Sequence, residues 1–87
     1  MAAYRLSIKP SAVKEIDGLG TKADRQRIVR RILQLAADPH PTGSEKLAGF
    51  ADRFRVRQGQ YRIVYLVDDA AREVTVFKVG HRKEVYR

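Results

Sequence analysis

The chain has no cysteine, no tryptophan, one methionine and three prolines in 87 residues. Without cysteine there is no disulfide scaffold and no thiolate metal site, and a reducing compartment fits. No apolar run approaches the roughly 20 residues that a membrane-crossing helix needs. The opening MAAYRLSIKP lacks the apolar core of a signal peptide. The expectation is a soluble, cytoplasmic protein with no membrane partner. Repeats, low-complexity tracts and linkers are also missing, so residues 1–87 are expected to form a single domain. Acidic residues are scarce as well: 10 Asp and Glu stand against 18 Lys and Arg, for a formal net charge of +8. So basic a small domain favours a polyanionic partner. RNA, DNA and an anionic membrane surface all carry that chemistry, so charge alone names only the class.

What is present is a globular pattern, 44% hydrophobic and 32% charged. Tyr4, Leu6 and Ile8 alternate with Arg5, Ser7 and Lys9, as in a half-buried strand. Pro10 and Ser11 suit a helix start, with Ser11 as a cap and Val13, Ile16 and Leu19 as the apolar stripe. Gly18 and Gly20 end that segment. Thr21 and Asp24 have the spacing of a capping box for a second helix. Ile28, Ile32 and Leu35 supply its buried stripe, and Pro39 and Pro41 stop it near Ala37. Residues 38–52 read as a loop, with Leu47 and Phe50 as anchors. Three strand-like runs follow, at 53–57, 61–67 and 73–79, the last ended by Gly80. Residues 68–72 form the turn between the last two. The order predicts an α+β fold: an N-terminal strand, two helices, then a three-stranded antiparallel meander, with the helices on one face of the sheet. Tyr4, Tyr61 and Tyr65 are expected in the core or in strand pairing, because aromatics favour strands.

The most unusual stretch is FRVRQGQYRIVYLV, residues 54–67, which contains no Asp or Glu. With Gln58-Gly59 as a two-residue hairpin loop, Arg57 pairs with Gln60, Val56 with Tyr61 and Arg55 with Arg62. This register gathers Arg55, Arg57 and Arg62 on one face. A register one residue longer would mix charged and apolar faces. Opposed like charges on a sheet are unfavourable. Such a face can stand simply solvated, be balanced by acidic side chains from elsewhere in the chain, or hold a bound anion. Three arginines on one face of a +8 domain favour the anion, and a guanidinium grips phosphate with paired charge-assisted hydrogen bonds. The C-terminal VGHRKEVYR adds His81, Arg82, Lys83 and Tyr86 directly after the last strand.

Taken together, RVRQGQYRIVY and VGHRKEVYR resemble the RelE toxins of bacterial and archaeal toxin–antitoxin pairs. The Asp-Pro loop and Lys-Leu-x-Gly step in DPHPTGSEKLAG fit as well, and so does a strand followed by two helices. The resemblance spans essentially the whole chain and lies within the RelE/ParE superfamily.

It implies the RelE-like fold and a toxin that acts as an mRNA interferase. Such an enzyme cuts messages in the ribosomal A site, inhibits translation and is neutralised by a cognate RelB-like antitoxin. The implied partners are therefore an antitoxin, mRNA and the ribosome, with no cofactor and no metal. Carried over by position, the implied catalytic set is Arg55, Arg62, Arg82 and Tyr86. Arg57, which the resemblance also matches to a strand cation, is expected with Lys46 and Lys83 to hold flanking RNA, and His81, a position that differs among members, is expected as an accessory RNA contact. Some members carry Lys at the positions of Arg55 and Arg57. A guanidinium is a poor proton carrier, so the general base is left open. Two alternatives stand beside this reading: a ParE-like inhibitor of DNA gyrase on the same fold, and a non-catalytic RNA-binding module.

Overall fold

The computed structural model describes residues 3–81. The elements run β1 (Arg5–Ile8), α1 (Pro10–Asp17), α2 (Lys22–Ala37), β2 (Glu45–Lys46), β3 (Arg53–Gln58), β4 (Tyr61–Asp68) and β5 (Glu73–His81). The strands form one sheet in the order β1-β5-β4-β3-β2. The expected α+β order holds, and β3, β4 and β5 form the predicted antiparallel meander.

Three details differ from the sequence reading. β1 joins the sheet parallel to β5, so the sheet is mixed. The expected 38–52 loop contains a two-residue strand, β2, which pairs antiparallel with β3. Gly80 does not end the last strand, because β5 continues to His81.

Both helices lie on one side of the sheet. Ala12 and Ile16 of α1 and Ile28, Ile32 and Leu35 of α2 pack with Val56, Ile63, Tyr65, Val67, Val74, Val76 and Val79. The 3.6-residue period of α2 and the two-residue period of the strands therefore meet in a single core. Thr21 caps α2, its hydroxyl accepting from the Asp24 amide at 3.0 Å. The start of α1 differs from expectation. Lys9 is the cap residue and makes no side-chain cap bond, while Pro10 opens the helix with its preset φ. Val13 is 42% exposed, and Ala12 takes the buried place expected of it.

The β4–β5 turn is held by Asp68, whose carboxylate accepts from the Ala71 amide at 3.0 Å. Buried Tyr65 donates its hydroxyl to the Pro39 carbonyl at 2.9 Å, which ties the end of the helical layer to the central strand. Among the described residues no helix is long and apolar enough to cross a membrane.

Candidate nucleic-acid interface

Alternation in β3 and β4 sorts their side chains cleanly. Phe54, Val56, Ile63 and Tyr65 face the helices. Arg53, Arg55, Arg57, Arg62, Val64 and Leu66 take the opposite parity and the helix-free face. The three arginines read from the sequence therefore do share one face, but through a different register. The hairpin loop is Gly59-Gln60, so Gln58 pairs with Tyr61, Arg57 with Arg62, and Arg55 with Val64. Gly59 has φ +60° and is the first loop residue, the glycine position of a type II′ turn. The register moves by two pairing steps relative to expectation. A two-step move preserves the faces, which is why the grouping survives while the partners change.

Arg57 and Arg62 are thus the directly opposed pair. Arg62 is only 6% exposed although it is cationic. Its other cross-strand neighbour is Gly80 of β5, which has no side chain to crowd it. Arg57 is exposed at the sheet surface. Arg55 has an acidic neighbour that the hairpin sequence lacks. Glu45 of β2 lies directly opposite, with Arg55 Nε 3.4 Å from Glu45 Oε1. One carboxylate from a short strand thus balances one arginine of the row. At the far edge of the sheet Arg5 pairs with Glu73 at 3.6 Å.

The remaining expected site residues are spread out. Lys46 is exposed, and its pairing with Phe54 gives it the helix-side parity at the β2 edge. His81 pairs with Tyr61 and so also has the helix-side parity; the two rings meet edge-on with centroids 6.3 Å apart. Neither stands in the arginine row. Arg82, Lys83 and Tyr86 lie outside the described residues.

Arg53 was not anticipated. It occupies the helix-free face two positions before Arg55, and its guanidinium lies over two aromatic rings, those of Phe50 and Phe77. Its parity with Arg55 and Arg57 was visible in the sequence. The approach of Phe77 was not, because it depends on a bulge in β5.

The described tyrosines are not activated as bases. The Tyr61 hydroxyl donates to Asp24 Oδ2 at 3.1 Å, and that bond raises its pKa above the ordinary phenol value. Tyr4 is likewise raised, by its hydrogen bond to Asp69. Burial raises Tyr65. A phenolate base needs the opposite shift.

A mixed five-stranded sheet with two helices packed on one side is a fold shared with solved RelE toxins. The RelE–RelB complex from Pyrococcus horikoshii OT3 superposes with a TM-score of 0.81 at 30% identity, covering 94% of this chain and 97% of that one. The isolated Escherichia coli RelE toxin gives 0.78 at 32% identity, covering 97% and 92%. Toxin RelG of Mycobacterium tuberculosis is 34% identical over 53 residues, a match spanning 61% of this chain and 61% of RelG. A family model described as the ParE toxin of the type II toxin–antitoxin system, parDE, matches residues 6–86. The chain belongs to this family of type II toxins, and its relatives within it are RelE-like.

Proposed function

We propose that this chain is the toxin of a toxin–antitoxin pair and acts as an endoribonuclease on mRNA in the ribosomal A site. The observation that carries this reading is the arginine cluster on the helix-free face, with Arg57 and Arg62 directly opposed. Directly opposed like charges repel, and a phosphate set between them gains two charge-assisted contacts.

The chemistry is an internal transfer. The 2′-oxygen attacks the adjacent phosphorus, the bond from phosphorus to the 5′-oxygen breaks, and a 2′,3′-cyclic phosphate and a 5′-hydroxyl result. The 2′-hydroxyl proton passes to a base, and the departing 5′-oxygen takes up a proton. The nucleophile belongs to the substrate, so no metal-bound water has to be generated. In this reading Arg62 and Arg82 hold the scissile phosphate and stabilise its added charge as fixed dipoles and charges do in preorganised sites. Arg57 joins Arg62 there, and Arg55 assists from the next position of the row. Tyr86 is the base or orients the nucleotide by stacking. Lys46, His81 and Lys83 contact flanking RNA. A site so poor in acid–base groups depends on positioning of its substrate, which is the task assigned to the ribosome. The substrate places the protein in the cytoplasm. A RelB-like antitoxin is the neutralising partner; P. horikoshii RelE is itself solved in complex with RelB.

The family description, ParE toxin, favours a second reading, inhibition of DNA gyrase. Both are tested by adding purified protein to a 5′-labelled message, naked or held on ribosomes with a vacant A site. Ribosome-dependent cuts leaving 5′-hydroxyl ends, lost in Arg62→Ala, are expected. Cuts on naked RNA discard the ribosome requirement. No cuts by folded protein, together with inhibited supercoiling, establish the gyrase reading. RNA binding without cuts or inhibition leaves a binding module.

A further inference from the structure

The helix-free face has two chemically different ends. One carries the opposed Arg57 and Arg62. The other carries Arg53, with its guanidinium carbon 4.5 Å from the centre of the Phe50 ring and 5.2 Å from that of Phe77. Each half has its own structural cause. Phe50 lies in the loop before β3 and is 45% exposed, a large apolar surface left in solvent. Phe77 sits at the bulge of β5: Val64 pairs with Lys78 and Tyr65 with Val76, so Phe77 has no partner in β4. Bulges re-aim side chains, and this one brings an aromatic ring from β5 to an arginine of β3, across β4.

We propose that Phe50, Arg53 and Phe77 form a nucleobase-binding subsite, which takes a base from a nucleotide beside the phosphate held at the Arg57–Arg62 end. A nucleobase is flat and apolar on its faces and rich in hydrogen-bonding groups at its edge. An exposed aromatic ring beside a planar guanidinium matches both properties. Arg53 makes no ion pair with a carboxylate among the described residues. Its Nε is buried without a hydrogen-bond partner among them. Two aromatic rings lie against it, so its remaining donors can serve the edge of a base without a carboxylate to displace. Along β3 the row Arg53, Arg55, Arg57 advances about 7 Å per alternate residue. That is a step comparable to the separation of successive phosphates in an extended strand. A single strand lying along this row would set its backbone on the cations and a splayed base on the rings. Duplex RNA hides its base faces and does not fit. The subsite makes Phe50 and Arg53 selectivity residues, so cutting depends on the identity of the base seated there. This inference rests on the face being an RNA-binding surface.

The test uses the full chain as wild type, Phe50→Ala and Arg53→Lys, each first checked for an unchanged fold by its melting curve. Arg53→Lys keeps the charge and loses the plane, so it decides the matter should Phe50→Ala not fold. One readout is cleavage of ribosome-held messages that vary each base around the cut. The other is quenching of 2-aminopurine in a short RNA made uncleavable by a 2′-deoxy at the scissile position. The expected result is that the ratio between best and worst cut sites contracts by about tenfold in either variant, the order expected for loss of one base–aromatic contact. Quenching seen with wild type should be lost in parallel. An unchanged ratio and unchanged quenching in both variants overturn the subsite while the nuclease reading stands. Wild-type protein that neither cuts nor binds RNA overturns both.

Discussion

Arg57→Gln separates the cost of the cationic row from its use. Arg57 is exposed and lies directly across from Arg62. Directly opposed like charges cost a cross-strand pair on the order of 0.2–1 kcal/mol. Glutamine keeps most of the length and the polar tip, and removes the charge. For a domain of this size 1 kcal/mol moves the melting temperature by about 4–8 °C, so the variant should melt about 1–8 °C higher than wild type at low salt. The gain should shrink as salt rises, because screening shortens from roughly 10 Å at 0.1 M to roughly 3 Å at 1 M. The same change should weaken RNA binding. Loss of one phosphate contact lowers the slope of log K against log salt by about 0.7 for a single strand. Calorimetry at two salt concentrations and a fluorescence titration at four measure both effects on one preparation. A variant that melts lower than wild type refutes the claim that the pair is held against repulsion. An unchanged salt slope removes Arg57 from the phosphate contacts.

The helical layer gives a sharper contrast. Ile32 is fully buried and Leu33, its neighbour in α2, is 59% exposed. Ile32→Ala should cost about 2–5 kcal/mol in urea unfolding, while Leu33→Ala should stay within about 0.5 kcal/mol; comparable losses would invalidate the assigned face of α2. Thr21→Ala removes the α2 cap and should cost about 1 kcal/mol by the same assay. Asp69 accepts from Tyr4 at 2.6 Å, and that bond lowers its pKa below the ordinary carboxylate value. A depressed carboxylate stabilises the fold above its unfolded pKa, and that stabilisation fades as pH falls from there through the folded pKa. Melting curves should therefore show an acid decline, below about pH 4, that is weaker in Tyr4→Phe; an identical acid limb in that variant would contradict the assignment.

Much of this architecture was legible because local signals agreed with one another. The Thr21 cap and the Ile28, Ile32, Leu35 stripe placed α2, and the strand-like run at 61–67 fell on β4, the middle strand of the sheet. Hairpin parity grouped Arg55, Arg57 and Arg62. The loop itself was misplaced, since Gln58-Gly59 and Gly59-Gln60 both offer a glycine and both preserve the faces. Tertiary contacts favour the second: Tyr61 then pairs with Gln58 and reaches Asp24 of α2. β2 was invisible, because two residues carry no period, and with it went the Glu45 partner of Arg55. Phe50, read as an anchor, is largely exposed. Its ring lies against Arg53, which also meets Phe77 through the β5 bulge, a contact that no local pattern announces.

The parallel pairing of Arg5 with Glu73 has a consequence for how the chain is made. Of the described elements β1 is made first, yet its only neighbour among them in the sheet is β5, the last. Until β5 arrives, β4 is an edge and β1 has nothing to join. Contacts of such long sequence separation form late and slowly. A nascent chain therefore lacks the closed sheet around the arginine hairpin while its early segments are already made. Assembly of the sheet acts as a clock, and the arginine hairpin keeps an open edge until the strand that closes it is made.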